Sequence, residues 1–200
     1  QLPHLWKLIE AMQIPYLSQA GFEADDIIGT LVKHGLEQDL DVFIVSGDKD
    51  FMQLINDNVF LFAPGTRTKP DKIYDIKGVE DRWGVPPEKI VDLFGLMGDS
   101  SDNIPGVVGV GPKSAMKLIH DYGTLEKALE NAESVTNKRV RNGLLEGKDK
   151  AILSKDLVTI VTDVPLGREI DELVRQDMDI EVMESLLTEY EFHALINQLP

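Results

Sequence analysis

Asp99-Ser100-Ser101-Asp102 runs, after Asn103, into Ile104-Pro105-Gly106-Val107-Val108-Gly109-Val110-Gly111-Pro112-Lys113, and this stretch decides how the chain is read. Glycine permits positive φ and close approach of a second backbone, so Pro105-Gly106, Gly109 and Gly111-Pro112 predict a tight connection between two helices. Pro112 suits the first position of the second helix, whose free N–H groups can hold a phosphate oxygen. Lys113, Ser114 and Lys117 stand beside that seat. The element reads as a helix-hairpin-helix that grips a nucleic-acid backbone without reading bases. An ordinary tight helix–helix turn is the competing reading.

Two further acidic clusters lie upstream, Glu23-Ala24-Asp25-Asp26 and Asp48-Lys49-Asp50. Glu23 and Asp26, like Asp99 and Asp102, are spaced i,i+3 and share a helix face or turn. Asp48 and Asp50 follow the apolar run Asp41-Val42-Phe43-Ile44-Val45 and Ser46-Gly47. Open α/β sheets bind ligands at the carboxyl ends of such strands. Hard divalent cations such as Mg²⁺ and Mn²⁺ take oxygen ligands, and two of them about 3.5–4 Å apart can act on a phosphodiester. The seven carboxylates therefore point to metal-dependent chemistry on a nucleic acid. For Glu23 or Asp102 alone, helix capping is an equal reading. Asp48-x-Asp50 also suits a haloacid-dehalogenase-like phosphatase.

The net charge of −15 argues against a nucleic-acid binder until its distribution is considered. Residues 161–200 hold ten acids against two bases, whereas residues 104–150 hold eight bases against six acids. The acidic tail reads as a solubilising face. Cysteine is absent, which excludes disulfides and thiolate metal sites. No segment has the length of apolar residues that a transmembrane helix needs, and the N-terminus, without Met, has no signal-peptide pattern. The chain reads as a fragment, with a cytoplasmic place expected.

The apolar pattern predicts helices around Leu5–Met12 and Ala24–Val32, and strands at Ile14–Leu17 and Asp41–Val45, the latter buried and parallel. Val59–Phe62 and Lys72–Asp75 are expected to pair across Pro64-Gly65-Thr66. Beyond about residue 84 the reading is helical. The fold class is an α/β sheet core with a helical lobe. The four histidines share no metal or triad spacing, and Trp6 and Trp83 read as packing residues. Lys138, Arg139 and Arg141 are candidates for a secondary backbone contact, evenly weighed against a solvated helix face.

Gly21-Phe22-Glu23-Ala24-Asp25-Asp26-Ile27-Ile28-Gly29, Ser46-Gly47-Asp48-Lys49-Asp50 and Met97-Gly98-Asp99-Ser100-Ser101-Asp102-Asn103-Ile104-Pro105-Gly106 resemble the 5′-nuclease domain of bacterial DNA polymerase I, within the flap endonuclease superfamily. The resemblance implies a 5′→3′ exonuclease and structure-specific flap endonuclease that removes primers and flaps. It implies a PIN-like, Rossmann-like parallel-sheet core over 1–84 and a helix-three-turn-helix lobe over 85–200. Glu23, Asp25, Asp26, Asp48 and Asp50 then correspond to ligands of one Mg²⁺ or Mn²⁺, and Asp99 and Asp102 to ligands of a second. The catalytic set is Asp25, Asp26, Asp48, Asp50, Asp99 and Asp102. Gly106, Gly109, Gly111, Lys113, Ser114 and Lys117 correspond to the duplex-DNA clamp, where K⁺ can bind main-chain carbonyls. DNA is the implied partner, with a C-terminal polymerase domain in the parent protein. The family begins with an Asp-bearing strand and a basic helical arch that are not found before Gln1, so this chain by itself is expected to be weak or inactive. A DNA-binding module that does not cut, and a PIN-type ribonuclease, are the rival readings.

Overall fold

The computed structural model describes residues 2–200. In chain order the helices are α1 (Leu2–Ala11), α2 (Ala24–Glu37), α3 (Ile76–Trp83), α4 (Ile90–Met97), α5 (Pro112–Tyr122), α6 (Leu125–Glu130), α7 (Lys138–Glu146), α8 (Lys148–Val158), α9 (Ile180–Glu189) and α10 (His193–Ile196). The strands are β1 (Val42–Val45), β2 (Val59–Ala63) and β3 (Lys72–Tyr74). Contacts divide the chain into two compact units, residues 23–163 and the residues up to Phe22 together with Val164–Pro200.

In the larger unit the sheet is mixed. β1 lies parallel to β2 with Ile44 opposite Leu61, and β2 lies antiparallel to β3 with Leu61 opposite Tyr74. The expected pairing of Val59–Phe62 with Lys72–Asp75 is present, and its connection is held by the Gly65 N–H donating to the Asp71 carboxylate at 2.6 Å. Alternation along the strands sends Ile44, Val59, Leu61 and Tyr74 into the core. Phe43, Val45 and Ile73 remain exposed on the other face, with Phe43 stacked on Phe60. The expectation of a fully buried strand at 41–45 is thus corrected. Only Ile44 is buried there, because no element of this unit covers the Phe43 face. The strand expected at Ile14–Leu17 is also absent. Pro15 lacks an N–H, and the Ile14 N–H bonds back to Ile9 O at 3.3 Å, so no ladder forms. One helix went unforeseen: α3 is started by Asp75, which accepts from Gly78 N at 2.7 Å, and stopped by left-handed Gly84.

α4 is the axle of this unit. Ile90, Leu93, Phe94 and Leu96 are inaccessible, and they join Phe51, Met52, Leu61 and Val79 to Leu125 and Leu144 in one core. A helix apolar nearly all round is a helix packed on all sides. Trp83 meets Phe94 edge-on and donates its indole N–H to Met52 sulfur. One charge sits in this apolar helix, at Asp92. Its carboxylate pairs with Lys155 of α8 at 2.7 Å and accepts from Leu125 N at 3.3 Å, and Lys155 also reaches Glu126 at 2.6 Å. The pair ties α4, α6 and α8 together where mutual packing alone would leave a buried acid without a partner.

In the smaller unit Ala11 packs against Met183, Leu186 and Leu187, and the Asp179 N–H donates to Ala11 O at 2.8 Å. Trp6 stacks on Tyr16. No helix among the described residues is long and apolar enough to cross a membrane.

Lys155→Met leaves Asp92 buried without its cation and is expected to lower unfolding stability by about 3 kcal/mol. Adding Asp92→Asn should restore part of that loss; urea denaturation of the single and double variants measures both.

Candidate active site

Within the larger unit, each acidic cluster is placed by a short local device. Asp25 and Asp26 open α2, where acids favour the helix dipole. β1 ends at Val45. The chain then turns through Ser46, whose hydroxyl accepts from Asp48 N at 3.0 Å, and Asp48 in turn accepts from Asp50 N at 2.9 Å. Asp50 begins a short 3-10 turn, Asp50–Leu54, with Phe51 and Met52 buried beneath it. Asp99 follows α4. It exchanges backbone hydrogen bonds with Ile104 at 3.0 and 2.7 Å and accepts from Ser101 N at 2.8 Å.

These devices converge. Glu23, Asp25, Asp26, Asp48, Asp50 and Asp102 line one cleft of about 310 Å³, closed on one side by Ile104 and Leu157–Ile160. Asp50, Asp99 and Asp102 each offer one oxygen within 4.8 Å of the others. All seven carboxylates singled out in the sequence therefore meet, although they come from three separate segments. They are not equivalent. Asp26 is occupied by backbone: one oxygen accepts from Val161 N at 2.9 Å and the other from Glu23 N at 3.2 Å. Asp50 Oδ1 is buried with no hydrogen-bond donor. A buried, donorless carboxylate oxygen costs on the order of 1–3 kcal/mol. An all-oxygen donor set with such an atom fits a hard divalent cation.

Electrostatics separate the acids further. Burial first, then the charges of Asp48 and Asp99, push the Asp50 carboxyl up to about 6 against the pull of Lys49. Burial, then Asp48 and Glu23, also raise Asp25 above the ordinary carboxylate value. Asp99 goes the other way, lowered chiefly by its hydrogen bond from Lys49. Burial opposes the Lys49 charge, but the Asp99 hydrogen bond and Asp50 outweigh it and raise its pKa.

The predicted backbone seat lies next to this cleft in the chain and is joined to it physically. Gly98 and Gly106 both have positive φ, and their backbones touch. A Cβ on Gly98 would stand 2.6 Å from Ile104 O, and one on Gly106 would stand 2.6 Å from Met97 C. Val107 N donates to Leu96 O at 2.8 Å, and Val107 and Val110 are buried. Gly109 has positive φ and lies under the Arg139 side chain. Gly111 is an extended N-cap with open space around it, and α5 begins at Pro112 without a side-chain cap. Lys113 is exposed and Ser114 half-buried on its first turn, while Lys117 is paired with Asp121 at 2.7 Å. Of the secondary basic group, Arg141 donates to Val135 O at 3.1 Å, while Lys138 and Arg139 are exposed.

Sequence reasoning missed three participants. Ser154, buried on α8, accepts from Gly106 N at 2.9 Å and donates to Lys150 O at 2.7 Å. Gln53 donates to Asp50 O at 2.9 Å and Val158 O at 2.8 Å and accepts from Ile160 N at 3.0 Å, fixing the cleft wall to the acidic turn. Lys49 was passed over between its two acids. Only its position inside Asp48-Lys49-Asp50 signalled it; nothing local marks Ser154 or Gln53.

The family model described as 5′-3′ exonuclease, N-terminal resolvase-like domain, matches residues 1–84, and that described as 5′-3′ exonuclease, C-terminal SAM fold, matches residues 85–181. DNA polymerase I of Bacillus subtilis is 39% identical over 199 residues, covering 100% of this chain and 23% of that protein. The chain thus spans under a quarter of that relative's length. A structure of T5 5′-exonuclease with bound divalent metal ions (zinc) superposes with a TM-score of 0.66 at 24% identity, covering 87% of this chain and 62% of that one. The catalytic core of Rad2 in complex with DNA substrate superposes with a TM-score of 0.63 at 17% identity, covering 94% and 63%. At these identities the two structures establish a shared fold.

Asp50 holds its proton up to about 6 when folded, against an ordinary 3.8. Between those values the folded protein binds more protons than the unfolded one, so the Asp50 contribution to stability falls as pH rises. Asp50→Asn is expected to remove that slope and to stabilise the metal-free protein at pH 7.5 by about 2 kcal/mol, the full shift of about 3 kcal/mol being reduced by solvent screening. Thermal melts of both proteins from pH 4 to 8, in chelator, check this.

Proposed function

We propose that this chain, which belongs to the 5′-3′ exonuclease family, forms the cleaving and duplex-gripping part of a metal-dependent DNA 5′-nuclease. The observation that carries the reading is the meeting of six carboxylates in one cleft, with Asp99 beside Asp50 and Asp102, joined through Gly98 and Gly106 to a helix-opening hairpin. Asp50, Asp99 and Asp102 would hold one ion, and Asp25, Asp48 and Glu23 would serve a second. Mg²⁺ or Mn²⁺ suits these oxygen donors. The chemistry such ions supply when bound is charge neutralisation and Lewis-acid activation at a phosphodiester.

The chain's own residues do the positioning. Asp26 and Gln53 hold the 158–161 wall against the acidic loops. Free N–H groups at the start of α5, with Lys113, seat a backbone phosphate, and Arg139 extends the basic track past Gly109. Because the hairpin and the Asp99–Asp102 loop share one backbone junction, a phosphate gripped at α5 sets where another phosphate falls in the cleft. K⁺ at the hairpin carbonyls is part of the same reading. The zinc-bound T5 5′-exonuclease and the DNA-bound Rad2 core support metal and DNA as partners. The relative named DNA polymerase I, of which this chain matches 23%, supports a polymerase domain in the same protein; primer removal and repair in the cytoplasm complete the proposed setting.

On a labelled 5′-flap duplex with Mn²⁺, Asp102→Asn should lower cleavage about a hundredfold or more while leaving the melting temperature unchanged. Full activity in that variant, made in the intact parent protein, overturns the reading. Lys113→Ala should weaken duplex binding in Ca²⁺ equally for all sequences and reduce the log–log salt slope by about one, as filter binding across salt concentrations would record.

A further inference from the structure

We propose that Lys49 is a built-in counter-cation: its ammonium takes the place of a divalent ion at Asp50 and Asp99, and an incoming ion must displace it. This rests on the metal-site reading above. Lys49 Nζ hydrogen-bonds Asp99 Oδ2 and lies in ion-pair range, 3.5 Å, of Asp50 Oδ1, the buried oxygen that has no hydrogen-bond donor. These are two of the three residues whose oxygens fall within 4.8 Å of one another. No basic side chain lines the cleft itself, so Lys49 is the cation that offsets this cluster.

The physical logic follows from charge. Three carboxylate oxygens packed this closely repel one another, and an ammonium among them holds the loops in place before any ion arrives. An ammonium and a divalent ion on the same oxygens repel in turn, so the two compete. A divalent ion carries twice the charge and wins when present in sufficient concentration. The Phe94 ring, with its centroid 5.5 Å from Nζ, offers the displaced ammonium a second seat against an aromatic face. The arrangement trades ion affinity for an acidic site that stays ordered without its ion.

The test is calorimetric titration of the full chain with Mn²⁺, beside thermal melts in chelator. Lys49→Met should bind Mn²⁺ about tenfold more tightly than the wild type and melt at a lower temperature without metal. Lys49→Arg, whose fork pairs more firmly with a carboxylate, should bind Mn²⁺ more weakly and melt no lower. Should the Met variant not fold, the Arg variant still decides the direction. Equal or weaker Mn²⁺ binding by Lys49→Met, or equal or tighter binding by Lys49→Arg, overturns the proposal while leaving the metal site standing. A wild type that takes up no Mn²⁺ overturns both.

Discussion

Gly98 and Gly106 meet backbone to backbone, and the rest of the larger unit is arranged around that contact. A side chain at either position would collide with the opposite main chain. Both residues also adopt the left-handed region, where glycine alone is free of strain. The contact closes a loop that begins and ends with the Asp99–Ile104 backbone pair. On one side it delivers Asp99 and Asp102 to the cleft, and on the other it launches the hairpin toward α5. The buried α4 anchors it through Leu96 O, and α8 anchors it through Ser154. On the proposed function, two chemically different tasks, holding cations and holding an anionic backbone, would share this one junction.

The acidic cleft is a place where stability is given up. Carboxylates packed among apolar residues ionise less readily, as the raised pKa values of Asp50 and Asp25 show, and their gathering is tolerated because neighbouring groups compensate. Lys49 offsets charge at Asp50 and Asp99. Backbone N–H groups of Val161 and Glu23 satisfy Asp26. The surrounding apolar core, continuous from the sheet through α4 to α8, supplies the stability that the cleft spends. The Asp92–Lys155 pair shows the same economy inside that core: an acid is admitted only with a cation and a backbone N–H.

Much of this was legible in the residues themselves, for reasons of short range. The spacing of Asp48 and Asp50 after an apolar run, the i,i+3 pairs, and the Gly-Pro punctuation around 105–112 each describe one turn of chain, and a turn is governed by its own residues. The hairpin between β2 and β3 was readable for the same cause. Asp75 and Gly84, the cap and stop of α3, are local signals of the same kind.

What lay outside the sequence was every fact that depends on the segment packed opposite. Periodicity marked Phe43 and Val45 as apolar but not that their face of the sheet is uncovered. It marked Asp26 as acidic but not that Val161, 135 residues away, occupies one of its oxygens. It placed Lys49 between two aspartates without showing that its ammonium is drawn to a third, Asp99. The sequence by itself determined the ligand types, the turns that present them and the helical and strand segments, because these follow from local sterics and local hydrogen bonding. The tertiary structure alone decided which acids share a cleft, which are already satisfied and which buried oxygen is left without a hydrogen-bond donor. Burial and long-range hydrogen bonds belong to pairs of segments rather than to either one.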